Sequence, residues 1–340
     1  MVERNGAMLL TGDIGGTKTG LALYTLDRGP KDAIARKTYP SGEYPSLEVL
    51  VRKFLEETGY KPSFGTFGVP GPVVEGRSQV TNLPWVVEEG KLRDALQFRT
   101  VTLLNDLEAI ANSIPVLEGD DLHVINRGEP VEGGSKGVVA PGTGLGEGFL
   151  VSDGKGYRSC RSEGGHATFA PMDERQADLM RFLLGRFGHV SCERVCSGLG
   201  IPNIYDFLKE TGHAPEQEWL AKELEDTSDR TPIIIRAGGD GDPSSELCRE
   251  TLRLFVSILG GEAGNLGLKV MATGGMYLGG GIPPRIIPTL EKGDFMRAFC
   301  GKGRLGVVLE RMPVYVMMNP QSALLGSARY GLEMMKEYME

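Results

Sequence analysis

Residues 9–23, LLTGDIGGTKTGLAL, miss a P-loop by one residue. The phosphate-cradling pattern G-x-x-x-x-G-K-[ST] requires glycine where this chain has Thr17, between Gly12 and the Lys18-Thr19 pair. A P-loop also runs straight into a helix, whose N-terminus helps hold the phosphate. Here Gly20 is followed by apolar residues at Leu21 and Leu23, a period of two that continues the chain as a strand. The segment therefore reads as strand, glycine turn, strand, which is not the Walker architecture.

The same arrangement recurs in residues 137–154, GVVAPGTGLGEGFLVSDG, where Val138, Val139 and Ala140 enter a turn at Gly142-Thr143-Gly144 and Phe149, Leu150 and Val151 leave it. Its spacing is G-x-G-x-G with a strand after it, so a dinucleotide-binding fold is excluded. Two such hairpins at the starts of two halves point to a duplication. Between them the pattern predicts a helix over 46–58, strands over 64–69 and 100–106, and a helix from about Leu107. Beyond the second hairpin it predicts helices over 173–187, 204–211, 216–224 and 243–265, then a strand at LKVMAT (268–273). RLGVVLERMPVYVM (304–317) reads as strands, and a closing helix follows a turn at Asn319-Pro320. Strands followed by helices in both halves make a duplicated α/β architecture with a cleft.

At 340 residues the chain exceeds a usual single core, so two lobes are expected. A net charge of -8, with both signs interspersed, gives no footprint for nucleic acid or an anionic membrane surface, and no stretch approaches a membrane span. The terminus MVERNGAMLL carries no targeting pattern and reads as a ragged end leading into a strand. Five cysteines, an odd number in a long chain, argue against a disulfide framework and for a reducing, cytoplasmic setting.

The 49 glycines cluster, and the clusters are where chemistry is expected. A Gly15-Gly16 turn leaves backbone N-H groups accessible to phosphate oxygens, with Gly12, Ile14, Thr17 and Lys18 completing the loop. Asp13 would repel phosphate directly but suits a Mg²⁺ ion held through water. Gly142, Thr143 and Gly144 form a second phosphate-facing turn, and the cluster of Gly274, Gly275, Gly279, Gly280 and Gly281, placed after the expected strand LKVMAT, reads as a shelf for adenosine. In LLNDLEAIANSI (103–114), Asn105 or Asp106 would serve as a helix N-cap, yet a carboxylate at a strand end is also where a general base belongs. The loop RSEGGHATFAP (161–171) offers Glu163 and His166 around two glycines, a low-bulk loop suited to the hydroxyls of a polyol. Cys192-x-x-x-Cys196 beside His189 is only a weak hint of metal, and no paired Cys-x-x-Cys exists.

Five elements in order, GDIGGTKTGLAL, LLNDLEAIA, APGTGLGEG, SEGGHATFAP and CERVCSGLGI, together resemble the bacterial glucokinases of the hexokinase and actin-like ATPase superfamily, over residues 9–332. The resemblance implies two RNase H-like lobes, one of residues 1–117 plus 320–340 and one of residues 118–319, flanking a nucleotide and sugar cleft. It implies ATP- and Mg²⁺-dependent phosphorylation of glucose at its 6-hydroxyl, a homodimer, and no zinc. By the same resemblance Asp106 is the base, while Asn105, Glu163, His166 and Glu193 contact the sugar. Lys18 departs from the Asn common in bacterial glucokinases and matches the Lys of the repressor, open-reading-frame and kinase (ROK) branch. A kinase for another hexose, a carboxylate kinase and a sugar sensor without catalysis are the rival readings.

Overall fold

The computed structural model describes residues 7–80 and 83–340. The expected ragged terminus at 1–6 lies outside the described residues. By packing, the chain divides into one unit of Met1–Leu117 with Asn319–Glu340 and a second of Glu118–Met318.

The first unit begins with β1 (Met8–Ile14), β2 (Lys18–Thr25) and β3 (Ala35–Pro40), joined as an antiparallel meander. Helix α1 (Leu47–Thr58) follows, opened by Ser46 Oγ accepting from the Val49 amide at 3.4 Å and closed by Gly59 at φ 73°. β4 (Phe64–Val69) then lies parallel to β1. A ribbon of β5 (Arg77–Gln79) and β6 (Val86–Glu88) and helix α2 (Glu89–Leu96) lead to β7 (Thr100–Asn105), parallel to β4, and to α3 (Asp106–Ser113). The sheet order is β3-β2-β1-β4-β7. Its two faces follow from the alternation of side chains along a strand. Leu10, Leu21, Leu23 and Phe67 pack with Leu50, Val51 and Phe54 of α1 on one side. Leu9, Ala22, Tyr24 and Phe64 pack on the other with Leu324, Ala328 and Leu332 of a helix from the end of the chain, Ser322–Met339.

The second unit repeats the plan. β8 (Leu122–Asn126) precedes the meander β9 (Lys136–Pro141), β10 (Leu145–Ser152) and β11 (Tyr157–Ser162). Helices α4 (Glu174–Phe187), α5 (Gly200–Glu210), α6 (Glu218–Glu225), α7 (Thr231–Gly238) and the long α8 (Glu246–Val270) come next. β12 (Gly275–Leu278) is parallel to β9, and α9 (Ile287–Leu290), α10 (Asp294–Cys300) and α11 (Gly306–Glu310) lead to β13 (Val314–Met317), parallel to β12. The order β11-β10-β9-β12-β13-β8 reproduces that of the first unit, with β8 added antiparallel at the edge. Both hairpins expected from the glycine turns are present, and each unit has the RNase H-like strand order. The final helix is α12 (Ser322–Met339).

Two sequence expectations fail, and one helix was not foreseen. LKVMAT is no strand: α8 runs through Val270 and ends on Met271 at φ 48°, and the strand is Gly275–Leu278, inside the glycine cluster. The glycines inside the helix expected over 243–265 are packing sites, because a Cβ at Gly260 would lie 2.3 Å from the Phe295 carbonyl oxygen and one at Gly264 2.5 Å from that of Phe299. The first half of RLGVVLERMPVYVM forms α11, since a short apolar run carries no period that separates helix from strand. Helix α7, which was not expected, hides in TPIIIRAG, where three consecutive isoleucines look strand-like and Pro232 starts the helix.

Candidate active site

In the first unit the β1-β2 turn is tight: the Gly15 amide donates to the Lys18 carbonyl at 3.0 Å, and a Cβ on Gly15 would lie 2.7 Å from that oxygen. Gly12 is equally constrained, with Phe67 2.6 Å from a Cβ there. Gly16 is half-buried, whereas Thr17 and Lys18 are exposed. Ser41, which the sequence did not single out, braces this turn. Its Oγ donates to the Gly15 carbonyl at 2.7 Å and lies 2.9 Å from Thr19 Oγ1, while its amide donates to the Thr17 carbonyl at 2.9 Å. A Ser-Gly pair after a proline reads like any turn, so nothing in the sequence marks it.

Asp13 sits at the carboxyl end of β1, opposite Gly68 of β4, which in turn pairs with Leu104 of β7. Asn105 and Asp106 follow at once, so the strand ends gather Asp13, Asn105 and Asp106 at one edge of the sheet. Burial and, second, the charge of Asp106 push the Asp13 carboxyl up to about 6. Asn105 is the N-cap of α3: its Oδ1 accepts from the amides of Leu107 at 2.9 Å and Glu108 at 3.4 Å. Its Nδ2 donates to the Gly71 carbonyl at 2.9 Å, which ties the helix start to the Pro70-Gly71-Pro72 turn. Asp106 is exposed at the first position of α3, and its Oδ1 accepts from the Leu107 amide at 2.8 Å.

The second unit gathers the rest. At the β9-β10 turn the Gly142 amide donates to the Gly144 carbonyl at 2.9 Å, and Thr143 is exposed. Glu193 Oε2 accepts from the Leu145 amide at 3.0 Å, and a Cβ on Gly144 would fall 2.4 Å from the same oxygen. Only glycine lets that carboxylate rest on the turn. Glu163 and His166 are exposed on a single-turn loop closed by the His166 amide donating to the Glu163 carbonyl at 3.0 Å. That loop is stitched to the Glu193 segment by the Cys192 amide donating to the Ala167 carbonyl at 2.9 Å.

The expected adenosine shelf splits. The Gly279 amide donates to the Val139 carbonyl at 2.9 Å, and Gly280, at φ 78°, would place a Cβ 2.4 Å from the Pro141 carbonyl oxygen, so these two flank the second turn. Gly274 and Gly275 stand at the other end of β12, where Gly275 pairs with Lys136. Gly280 belongs to the triple glycine that the sequence had already marked as part of the shelf. Cys192 and Cys196 are buried while His189 is exposed, 3.3 Å from Thr168 Oγ1. Among the described residues no three metal-ligating side chains converge.

Comparison with known proteins identifies the family. The family model described as Glucokinase covers residues 10–334. The chain is 37% identical over 333 residues to a glucokinase from Nostoc punctiforme, covering 94% of this chain and 98% of that one. It is 35% identical over 350 residues to the glucokinase of Synechocystis sp., covering 95% and 97%. A crystal structure of a glucokinase from an Antarctic psychrotroph superposes with a TM-score of 0.82 at 29% identity, over 96% of this chain and 99% of that one. A glucokinase from Balamuthia mandrillaris, solved in complex with glucose, shares the fold at a TM-score of 0.75 and 18% identity, over 98% and 95%. With the family model spanning nearly the whole chain and relatives above 30% identity along their full length, this chain belongs to the glucokinase family of sugar kinases.

Proposed function

We propose that the protein transfers the γ-phosphoryl group of ATP to the 6-hydroxyl of glucose, with Asp106 as general base. The observation that carries this reading is the placement of Asp106, an exposed carboxylate at a sheet edge beside Asp13 and the glycine turn. Asp106 accepts the hydroxyl proton as the oxygen attacks. Glu163, His166 and Glu193 pair with the remaining sugar hydroxyls, and Asn105 adds its amide. The turns at Gly15-Gly16 and Gly142-Thr143-Gly144 face phosphate with backbone rather than side chain.

The donor set suits Mg²⁺. Asp13 is a carboxylate kept short of full ionisation by burial and by Asp106, and a cation beside it relieves both. When bound, Mg²⁺ neutralises phosphate charge and so eases transfer. Asp13 would hold the ion through water, and Lys18 supplies a mobile positive charge at the mouth of the turn. By family likeness the protein acts as a homodimer in the cytoplasm.

A coupled nucleotide-turnover assay over a panel of hexoses and phosphoryl donors, run on the native chain and on Asp106→Asn, tests this. The substitution is expected to lower kcat by about 10² to 10⁴ fold, the usual size of a general-base effect, while glucose still binds. Near-normal turnover in that variant removes Asp106 from the role. Faster turnover of another hexose than of glucose reassigns the substrate.

A further inference from the structure

Beneath the acceptor loop lies a buried acidic cluster that phosphoryl transfer does not use. Glu147, on β10, is 2% exposed, and its Oε1 has no hydrogen-bond partner. Its Oε2 lies so close to Gly164 that a Cβ there would be 2.1 Å away. Strand register sets Glu147 opposite Ser162, whose Oγ accepts from the Gly164 amide at 3.0 Å. From α8, Glu262 faces it. Glu262 is itself buried, and its Oε2 accepts from Asn265 Nδ2 at 3.0 Å and from the Cys192 thiol at 3.4 Å.

Burial and then the Glu262 charge push the Glu147 carboxyl up to about 7, opposed only weakly by Lys269, also of α8. Cys192 and Cys196 border the pair, and burial raises both thiols, so neither adds a thiolate. Lys302 reaches Glu262 through Asn265, its Nζ donating to Asn265 Oδ1 at 2.6 Å and to the Gly261 carbonyl at 2.9 Å. Two facing carboxyl groups, with neither lysine lowering the Glu147 carboxyl to its ordinary range, are tolerated while one keeps its proton.

We propose that Glu147 is a positioning residue for the acceptor loop: as the neutral acid it is the floor under Gly164, and its ionisation against Glu262 unseats Glu163 and His166, so that sugar binding weakens as the pH rises through neutrality. This rests on the reading of residues 163–166 as sugar contacts. Once both carboxylates are charged, the strain is relieved by admitting water to Glu147. β10 and α8 are held in the core, whereas residues 163–166 are secured by local bonds and the loop is anchored only past them, where the Cys192 amide donates to the Ala167 carbonyl at 2.9 Å. Gly165 transmits the shift because a Cβ there would already lie 2.1 Å from the Leu145 carbonyl oxygen, leaving no slack toward β10. By reciprocity, sugar bound to the seated loop favours the protonated form.

The test measures sugar KM between pH 5.5 and 8.5, together with amide hydrogen exchange of residues 163–167 without sugar, in the native chain, Glu147→Gln and Glu147→Ala. In the native chain KM is expected to rise at least about fivefold from pH 6 to pH 8, the lower end of ordinary coupling, with loop protection falling in step. Glu147→Gln, neutral throughout and similar in shape, should show neither change, and Glu147→Ala should show a weak, pH-independent loop that the Gln variant rescues. Should the Ala variant fail to fold, the native and Gln profiles decide alone. Identical pH profiles in those two chains, for KM or for loop protection, overturn the proposal. Absence of any sugar-dependent turnover in the native chain would instead end the kinase reading, and the exchange comparison would still decide whether Glu147 seats the loop.

Discussion

Asn105 serves two neighbours at once, and its amide separates them. The oxygen caps α3 through the Leu107 and Glu108 amides, while the NH₂ group reaches the Gly71 carbonyl. Asn105→Asp keeps an oxygen for the cap but loses the donor. It should keep a near-native melting temperature while kcat/KM for the sugar falls about tenfold or more, since a misplaced contact alone can cost 10²-fold. Asn105→Ala should lose activity and also about 1 kcal/mol of stability, the usual value of a cap. Calorimetry and steady-state kinetics on the pair check this, and equal melting temperatures for both variants would remove the capping account. The dual role was half legible in the sequence, which offered cap and function as competing readings of one dipeptide. The brace at Ser41 was not legible, because hydrogen bonds across 22 and 26 residues leave no local pattern.

Among the elements, α12 steadies the helix that carries Asp106. It packs on α3 so closely that a Cβ on Gly326 would lie 1.7 Å from the Ala109 carbonyl oxygen and 2.7 Å from the Ser113 amide nitrogen. Arg329, buried one turn on, donates to the Asn112 carbonyl at 3.4 Å and to its Oδ1 at 3.3 Å. Gly326→Ala therefore sets two effects against each other. Helix propensity favours alanine by about 1 kcal/mol, and overpacking against rigid backbone costs about 1–3 kcal/mol. The clash should win, lowering the denaturant midpoint and also kcat, because α3 carries Asp106 at its first position. A midpoint above that of the native chain would show that the helices separate freely. Elements with a clear period or cap, such as α1, β4 and the two hairpins, were legible from sequence alone. The last turn of α8 and β12 were not, because in both the deciding contacts come from distant chain: Phe299 against Gly264 near the end of α8, and Pro313 accepting from the Met276 amide at 2.8 Å.

Over the whole molecule, the buried acids set how stability follows pH. Asp13 and Glu147 are both raised above their unfolded values, to about 6 and about 7. The folded chain therefore holds more protons than the unfolded chain between about pH 4 and 7, and stability falls as pH climbs through that window. For Glu147, nearly inaccessible to water, the shift from 4.5 to about 7 is worth on the order of 3 kcal/mol. Glu57, lowered to about 2 chiefly by the hydrogen bonds from Lys37 and Tyr39, acts the other way, its contribution lost as pH falls toward that value. Urea midpoints should therefore be higher at pH 5 than at pH 8, and Glu147→Gln should remove most of the difference. A native chain more stable at pH 8 than at pH 5 contradicts this account. The duplicated strand order was readable from the paired glycine turns, whereas the buried acid pair was not: Glu147 and Glu262 lie 115 positions apart and look, in sequence, like any surface glutamates.

The return of α12 to the first unit has a consequence in the order of synthesis. Leu9, Ala22, Tyr24 and Phe64 are translated among the first fifth of the chain, yet the residues that cover them, Leu324, Ala328 and Leu332, are among the last to leave the ribosome. Through most of elongation that face of the sheet waits uncovered, and α3 waits without the helix that steadies its carboxylate. A polypeptide that ends between Glu193 and Asn319 thus keeps Glu163, His166 and Glu193 while Asp106, the proposed base, stays unsupported. Completion of the chain is in this way a condition for turnover, and incomplete products display an apolar sheet face of the kind that chaperones and proteases recognise.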